Sequence, residues 1–198
     1  MNARFHLAAG KITAFLLSFQ LLSFLSPAQV RYTGNTIDLV VSGTSTLHDW
    51  TMRSVKADCT AFFGFNAAGV INGLETLSFS TPATGLKSEH TAMDNNAYKA
   101  LKTDKNPAII YTMTAVTVTP AATGSTVKCI GMLTIAGATK DEEIVAVCKP
   151  NADNTITVTG SRKISMKEYS INPPTFMLGA VKTGNDIVIS FTLQLKRS

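Results

Sequence analysis

The feature that most constrains this chain lies near its end, where Ile187, Ile189, Phe191, Leu193 and Leu195 alternate with Ser190, Thr192, Gln194 and Lys196. Successive side chains of a strand point to opposite faces, so a strand gathers all five apolar residues on one side, whereas a helix scatters them round its circumference. The same parity returns at Ile37, Leu39 and Val41, and again at Val55, Ala57, Cys59, Ala61, Phe63 and Phe65 against Lys56, Asp58 and Thr60. Leu77 and Phe79 repeat it against Ser78 and Ser80. Strands with one buried and one solvated face favour an antiparallel sheet. Turn chemistry divides them at Gly43, residues 66–69, Asn72-Gly73, residues 119–124 and 150–154, Pro173-Pro174 and Gly184-Asn185. That spacing predicts an all-β chain of about eight or nine strands, closed as a sandwich or barrel.

One helix is predicted, over residues 93–103, where Ala97, Ala100 and Leu101 form an apolar stripe and Asn106-Pro107 closes it. Two connections are long and irregular, residues 81–94 and 166–184, and the second carries Phe176, Met177 and Leu178. Apolar loop side chains cost exposure unless they cover something, and on a barrel they would sit over a mouth. No internal repeat or low-complexity tract interrupts the pattern, which reads as one domain over residues 29–198.

The first residues carry a different signal. Arg4 and Lys11 precede an apolar run over residues 12–25, and Ser26-Pro27-Ala28 offers the small residues of a signal-peptidase site. The run is short of the roughly 20 residues that span a bilayer. Residues 1–28 therefore read as a removed secretory signal, and the remainder as a soluble domain, periplasmic or secreted. Taking Arg4 and Lys11 from the 18 bases leaves 16 against 13 acids, too small and too scattered an excess for a nucleic-acid surface. An oxidising destination gives Cys59, Cys129 and Cys148 two readings. A hairpin turning at Gly137-Ala138-Thr139-Lys140 would set Ala136 against Asp141 and Cys129 against Cys148, at a separation a disulfide spans, with Cys59 left as a buried thiol. In the other reading all three stay reduced in the core.

Motifs for catalysis are absent from the sequence. His48 and Asp49 stand side by side, but neighbouring residues on a strand face opposite ways, and beyond the leader only His90 adds an imidazole. Trp50 reads as a core aromatic beside a turn. There is no Gly-x-Ser-x-Gly elbow and no phosphate-cradling glycine loop. Glu142-Glu143, next to Lys140 and Asp141, read as a solvated hairpin tip. The chain thus reads as a non-enzyme without a cofactor. Eight strands enclose an interior that is either just filled by side chains or just wide enough for one small ligand, and the mixture of Ala57, Ala61, Gly131 and Ala146 with large aromatics suits both.

Several blocks together resemble the YceI-like family. They are Val41-Ser42-Gly43-Thr44-Ser45-Thr46-Leu47-His48-Asp49-Trp50, similar to exported variants; His90 and Asp94 before the helix; and Tyr98 to Leu101 within it. Asn106-Pro107 ahead of Tyr111-Thr112-Met113, the segment from Gly131 to Lys140, and Ser165-Met166-Lys167-Glu168-Tyr169-Ser170-Ile171 continue the likeness in order. The resemblance implies an extended, lipocalin-like antiparallel barrel with a helix near one opening, and an apolar ligand such as a polyisoprenoid, quinone-like or fatty chain inside. Asn95-Asn96 and Pro173-Pro174 depart from the family pattern near the expected mouth. The expected lining is Leu39, Val41, Phe63, Phe65, Phe79, Leu133, Ile144, Ile189, Phe191 and Leu193, with Phe176 and Met177 at the mouth. Carriage of such a molecule in the cell envelope, with transient membrane contact, is the leading expectation, and a filled, ligand-free interaction domain is the rival. The sequence does not set the oligomeric state, a homodimer included.

Overall fold

In the computed structural model, which describes residues 29–198, the alternating segments form one antiparallel sheet that closes on itself. The strands are β1 (Gln29–Ser45), β2 (Trp50–Ser54), β3 (Asp58–Phe65), β4 (Ile71–Pro82), β5 (Ala108–Ala121) and β6 (Gly124–Ile135). They continue with β7 (Ala138–Pro150), β8 (Thr155–Ser165), the two-residue β9 (Thr175–Phe176) and β10 (Val181–Arg197), and one helix, α1 (Thr91–Leu101), joins β4 to β5. Going round the wall, the order is β1, β3, β4, β5, β6, β7, β8, β10, and β10 pairs back onto β1 from Tyr32↔Arg197 to Ser45↔Thr183. This is an eight-strand antiparallel barrel with one helix, which decides between the sandwich and the barrel that the pattern allows and agrees with the barrel that the resemblance implies. Residues 1–28, read above as a secretory signal, lie outside the described residues.

β2 and β3 share one edge of β1, β2 pairing with Leu39–Gly43 and β3 with Gln29–Thr33. The run expected as one strand from Val55 is broken there, and Val55 is exposed. The break is held by polar groups. Ser54 and Thr81, both fully buried, each donate a hydroxyl to the Lys56 carbonyl, at 3.1 and 2.7 Å. Beyond β2 the wall is completed by the segment before α1, through paired backbone hydrogen bonds between Arg53 and Lys87.

α1 spans Thr91–Leu101, two residues ahead of its expected position, and stops where Lys102 turns left-handed with φ 54° and its N–H reaches the Tyr98 and Lys99 carbonyls. Asp94 anchors its first turn. Its carboxylate accepts the Ser88 N–H at 2.7 Å and the Ser88 hydroxyl at 2.8 Å, with Lys87 at 3.7 Å.

The β6–β7 hairpin corrects the cysteine pairing. Ala136 and Gly137 both take positive φ, 51° and 84°, and close the turn with two residues, so Ile135 faces Ala138. Thr139 and Lys140, expected in the turn, are ladder residues, and the Thr134 and Thr139 hydroxyls meet at 2.8 Å. Cys129 then faces Ile144 and Cys148 faces Ser125. All three cysteines are buried free thiols, and no Cys129–Cys148 disulfide forms. Burial pushes Cys59 and Cys148 up to about 12 and Cys129 to about 11.

Candidate functional site

Inward parity does not fill this barrel. A cavity of about 480 Å³ runs down from the α1 end between the walls, within the roughly 300–1,000 Å³ of small-molecule pockets. Leu39 and Val41 of β1, Phe63 of β3, Phe79 of β4, Leu133 of β6, Ile144 of β7 and Ile189, Phe191 and Leu193 of β10 all line it, with Phe176 and Met177 at its mouth. Phe65 does not. The β3–β4 ladder slips between Gly64 and Phe65, and the Phe65 ring packs 6.2 Å from Tyr32, apart from the lining. Phe63 meets the same Tyr32 edge-on at 5.7 Å.

α1 covers the opening with its apolar stripe. Met93, Ala97 and Leu101 pack over a cluster of Leu39, Val41, Met52 and Leu86 and border the cavity from above. Trp50 stands at the rim, its indole N–H donating to the Thr44 carbonyl at 3.0 Å. Space for these rings comes from glycines. A Cβ at Gly160 would lie 2.5 Å from Phe191 Cζ and 2.7 Å from the Val145 carbonyl oxygen. The outer rim is apolar as well. Leu47, Met177 and Leu178 are 68%, 75% and 110% exposed, and Met177, Leu178 and Gly179 run consecutively at positive φ.

One polar cluster interrupts the apolar wall. β7 pairs with β8 only from Ala146↔Gly160 to Pro150↔Ile156, so towards the mouth the two strands part. Glu142 of β7, Arg162 of β8 and Tyr169 of the short turn Met166–Tyr169 meet there. The Glu142 carboxylate accepts from Arg162 Nε and Nη2, both at 2.8 Å, and from the Tyr169 hydroxyl at 2.9 Å. Glu142 and Tyr169 are buried, while Arg162 borders the cavity. Burial, reinforced by the hydrogen bond to Glu142, pushes the Tyr169 phenol well above its ordinary value. Glu142 is therefore not part of a solvated hairpin tip. The two-residue turn places it down the strand on the inward parity of Ile144, Ala146 and Cys148, while Glu143 pairs outside with Lys128 at 2.7 Å. Parity was the available signal, since Arg162 likewise follows Ile156, Val158 and Gly160 on the inward side of β8.

His48 and Asp49 do not form a dyad, the imidazole Nδ1 lying 2.6 Å from the Asp49 backbone carbonyl. Among the described residues no group of three or more His, Cys, Asp or Glu could hold a metal.

A closed antiparallel barrel with an apolar, helix-capped lumen is the architecture of the lipocalin-like class. Within that class the chain belongs to the YceI-like family, the YceI-like domain matching residues 41–195. Solved structures repeat the fold. BcnA of Burkholderia cenocepacia superposes with a TM-score of 0.64 at 13% identity, covering 80% of this chain and 95% of that one. A polyisoprenoid binding domain from Saccharophagus degradans, implicated in plant cell wall breakdown, gives 0.60 at 11% identity, covering 86% and 100%. The YCEI protein of Campylobacter jejuni gives 0.54 at 21%, covering 73% and 85%. No curated protein matches the sequence.

Proposed function

We propose that this protein binds a long apolar molecule, of polyisoprenoid, quinone-like or fatty type, inside its barrel, and that it carries or stores that molecule in the cell envelope after export. The observation that carries the reading is the cavity of about 480 Å³ in a lumen whose walls are almost wholly apolar. The Saccharophagus degradans domain, described as polyisoprenoid-binding, supports the ligand class. Burial contributes about 0.8 kcal/mol per CH₂, so ten carbons contribute about 8 kcal/mol before the cost of association is subtracted. The exposed Leu47, Met177 and Leu178 suit a mouth that touches a bilayer transiently when the ligand passes. The activity is binding without chemistry and without a cofactor.

Native mass spectrometry with organic extraction tests it, on protein purified from its own host. A co-purifying apolar molecule of defined mass is the expected result. A clean apo mass, persisting after incubation with host membranes, overturns the reading in favour of a ligand-free interaction domain. Phe191→Trp and Leu39→Trp should each abolish uptake of a long-chain quinone analogue while far-UV circular dichroism stays unchanged.

A further inference from the structure

The geometry points to Arg162 as an anchor for the head group of the bound molecule, selecting an uncharged head that carries a carbonyl oxygen. This inference rests on the proposed binding of an apolar chain in the lumen and adds what the apolar walls do not provide, a reason to prefer one end of the ligand.

Burial of carbon is indifferent to the identity of a chain, so discrimination falls to whatever polar group the lumen presents. Arg162 presents one. Its Nε and Nη2 are taken by Glu142, and among the described residues its Nη1 has no hydrogen-bond partner, although the side chain borders the cavity. The guanidinium is held along one edge, with the side chain 41% exposed. Glu142 grips it, and Tyr169, wholly buried, holds Glu142 from the other side at 2.9 Å. A donor fixed in this way at an apolar cavity offers a preformed hydrogen bond at little ordering cost.

The charge arithmetic then selects the head. Arg162 and Glu142 already cancel, so a carboxylate or phosphate would bring an uncompensated negative charge into the lumen beside Glu142. A carbonyl oxygen needs only the free donor and brings no charge. Both N–H groups of Nη1 and one of Nη2 remain after Glu142 is served, so the choice between a carbonyl and an anion rests on charge and not on the number of donors.

The test uses chains matched in length and differing at one end, namely 2-heptadecanone, hexadecanoate and heptadecane, each displacing Nile red from the full-length protein. A hydrogen bond from a charged donor contributes about 1.5–3 kcal/mol and offsets the cost of taking the carbonyl out of water, so the ketone should bind more tightly than the anion, and Arg162→Met should weaken the ketone at least about tenfold relative to the alkane. The quantity read is the ketone-to-alkane ratio of displacement constants in each protein, because a general loss of fold or of lumen shape weakens both chains alike. A readout on the unaltered protein guards against a variant that fails to fold. The C=O stretch of the bound ketone should fall below its value in hexane.

A ketone-to-alkane ratio unchanged in Arg162→Met, an unshifted stretch, or an anion that binds best would each overturn the head-group assignment while leaving the apolar-lumen reading standing. Failure of all three chains to displace the dye would overturn that reading and this one with it.

Discussion

Phe191 occupies the lumen because nothing but hydrogen stands at position 160. In Gly160→Ala the new methyl group would meet both the Phe191 ring and the Val145 carbonyl, and a backbone oxygen cannot swing away. The substitution should cost about 1–3 kcal/mol of stability, read as a lowered urea midpoint with an unchanged slope. The thiols give a second check at this scale. With Cys59, Cys129 and Cys148 raised to about 11 or 12 by burial, the native protein should react with a disulfide reagent at pH 8 far more slowly than a free thiol, and all three should titrate in denaturant. Recovery of only one thiol in denaturant would restore the Cys129–Cys148 bond. Single residues were legible in the sequence only as far as parity reached. Phe63, Phe191 and Leu193 were placed by it, and it equally covered Glu142 and Arg162, whose charges argued for the outside. What outweighed the charge was each other's company, which alternation along one strand cannot reveal.

The helix and the β6–β7 hairpin show the same limit for whole elements. Existence and type of both were readable from pattern, but their ends depended on backbone φ at Lys102, Ala136 and Gly137, and nothing in an Ala-Gly pair announces that two residues rather than four will close a turn. Two residues decided the cysteine partners. α1 itself is tied down at one end by the Asp94 clamp on Ser88. Asp94→Ala removes two hydrogen bonds to a buried carboxylate and should cost about 1–3 kcal/mol. It should also speed amide exchange in residues 91–97 relative to the barrel strands, because the cover loosens before the wall does. Uniform exchange along the chain would show that α1 and the barrel open together.

For the molecule as a whole, the buried acids set the pH range. Three thiols and the phenols of Tyr111 and Tyr169 all have folded values raised above their unfolded ones, chiefly by burial. As pH rises past about 9 the unfolded chain releases protons that the folded chain keeps, so this contribution is whole below that point and shrinks above it. Asp94 works the other way. Burial would raise it, but the Ser88 hydrogen bonds and Lys87 together hold it below its ordinary value, so its contribution is lost as pH falls below about 4. Urea midpoints should therefore be flat from pH 6 to 8, falling from pH 9 to 11 and again towards pH 3. A midpoint that rises from pH 9 to 11 would contradict the burial of these groups.

The barrel is shut by its two ends. β10, the last strand, lies along β1, the first, and the Ser198 N–H returns to the Arg31 carbonyl at 3.0 Å. During synthesis, then, β1 emerges with one edge open and waits until β10 has followed it. A chain that stops short of β10 leaves that edge unpaired and the lumen open to water, so the container exists only once its two most distant strands have met.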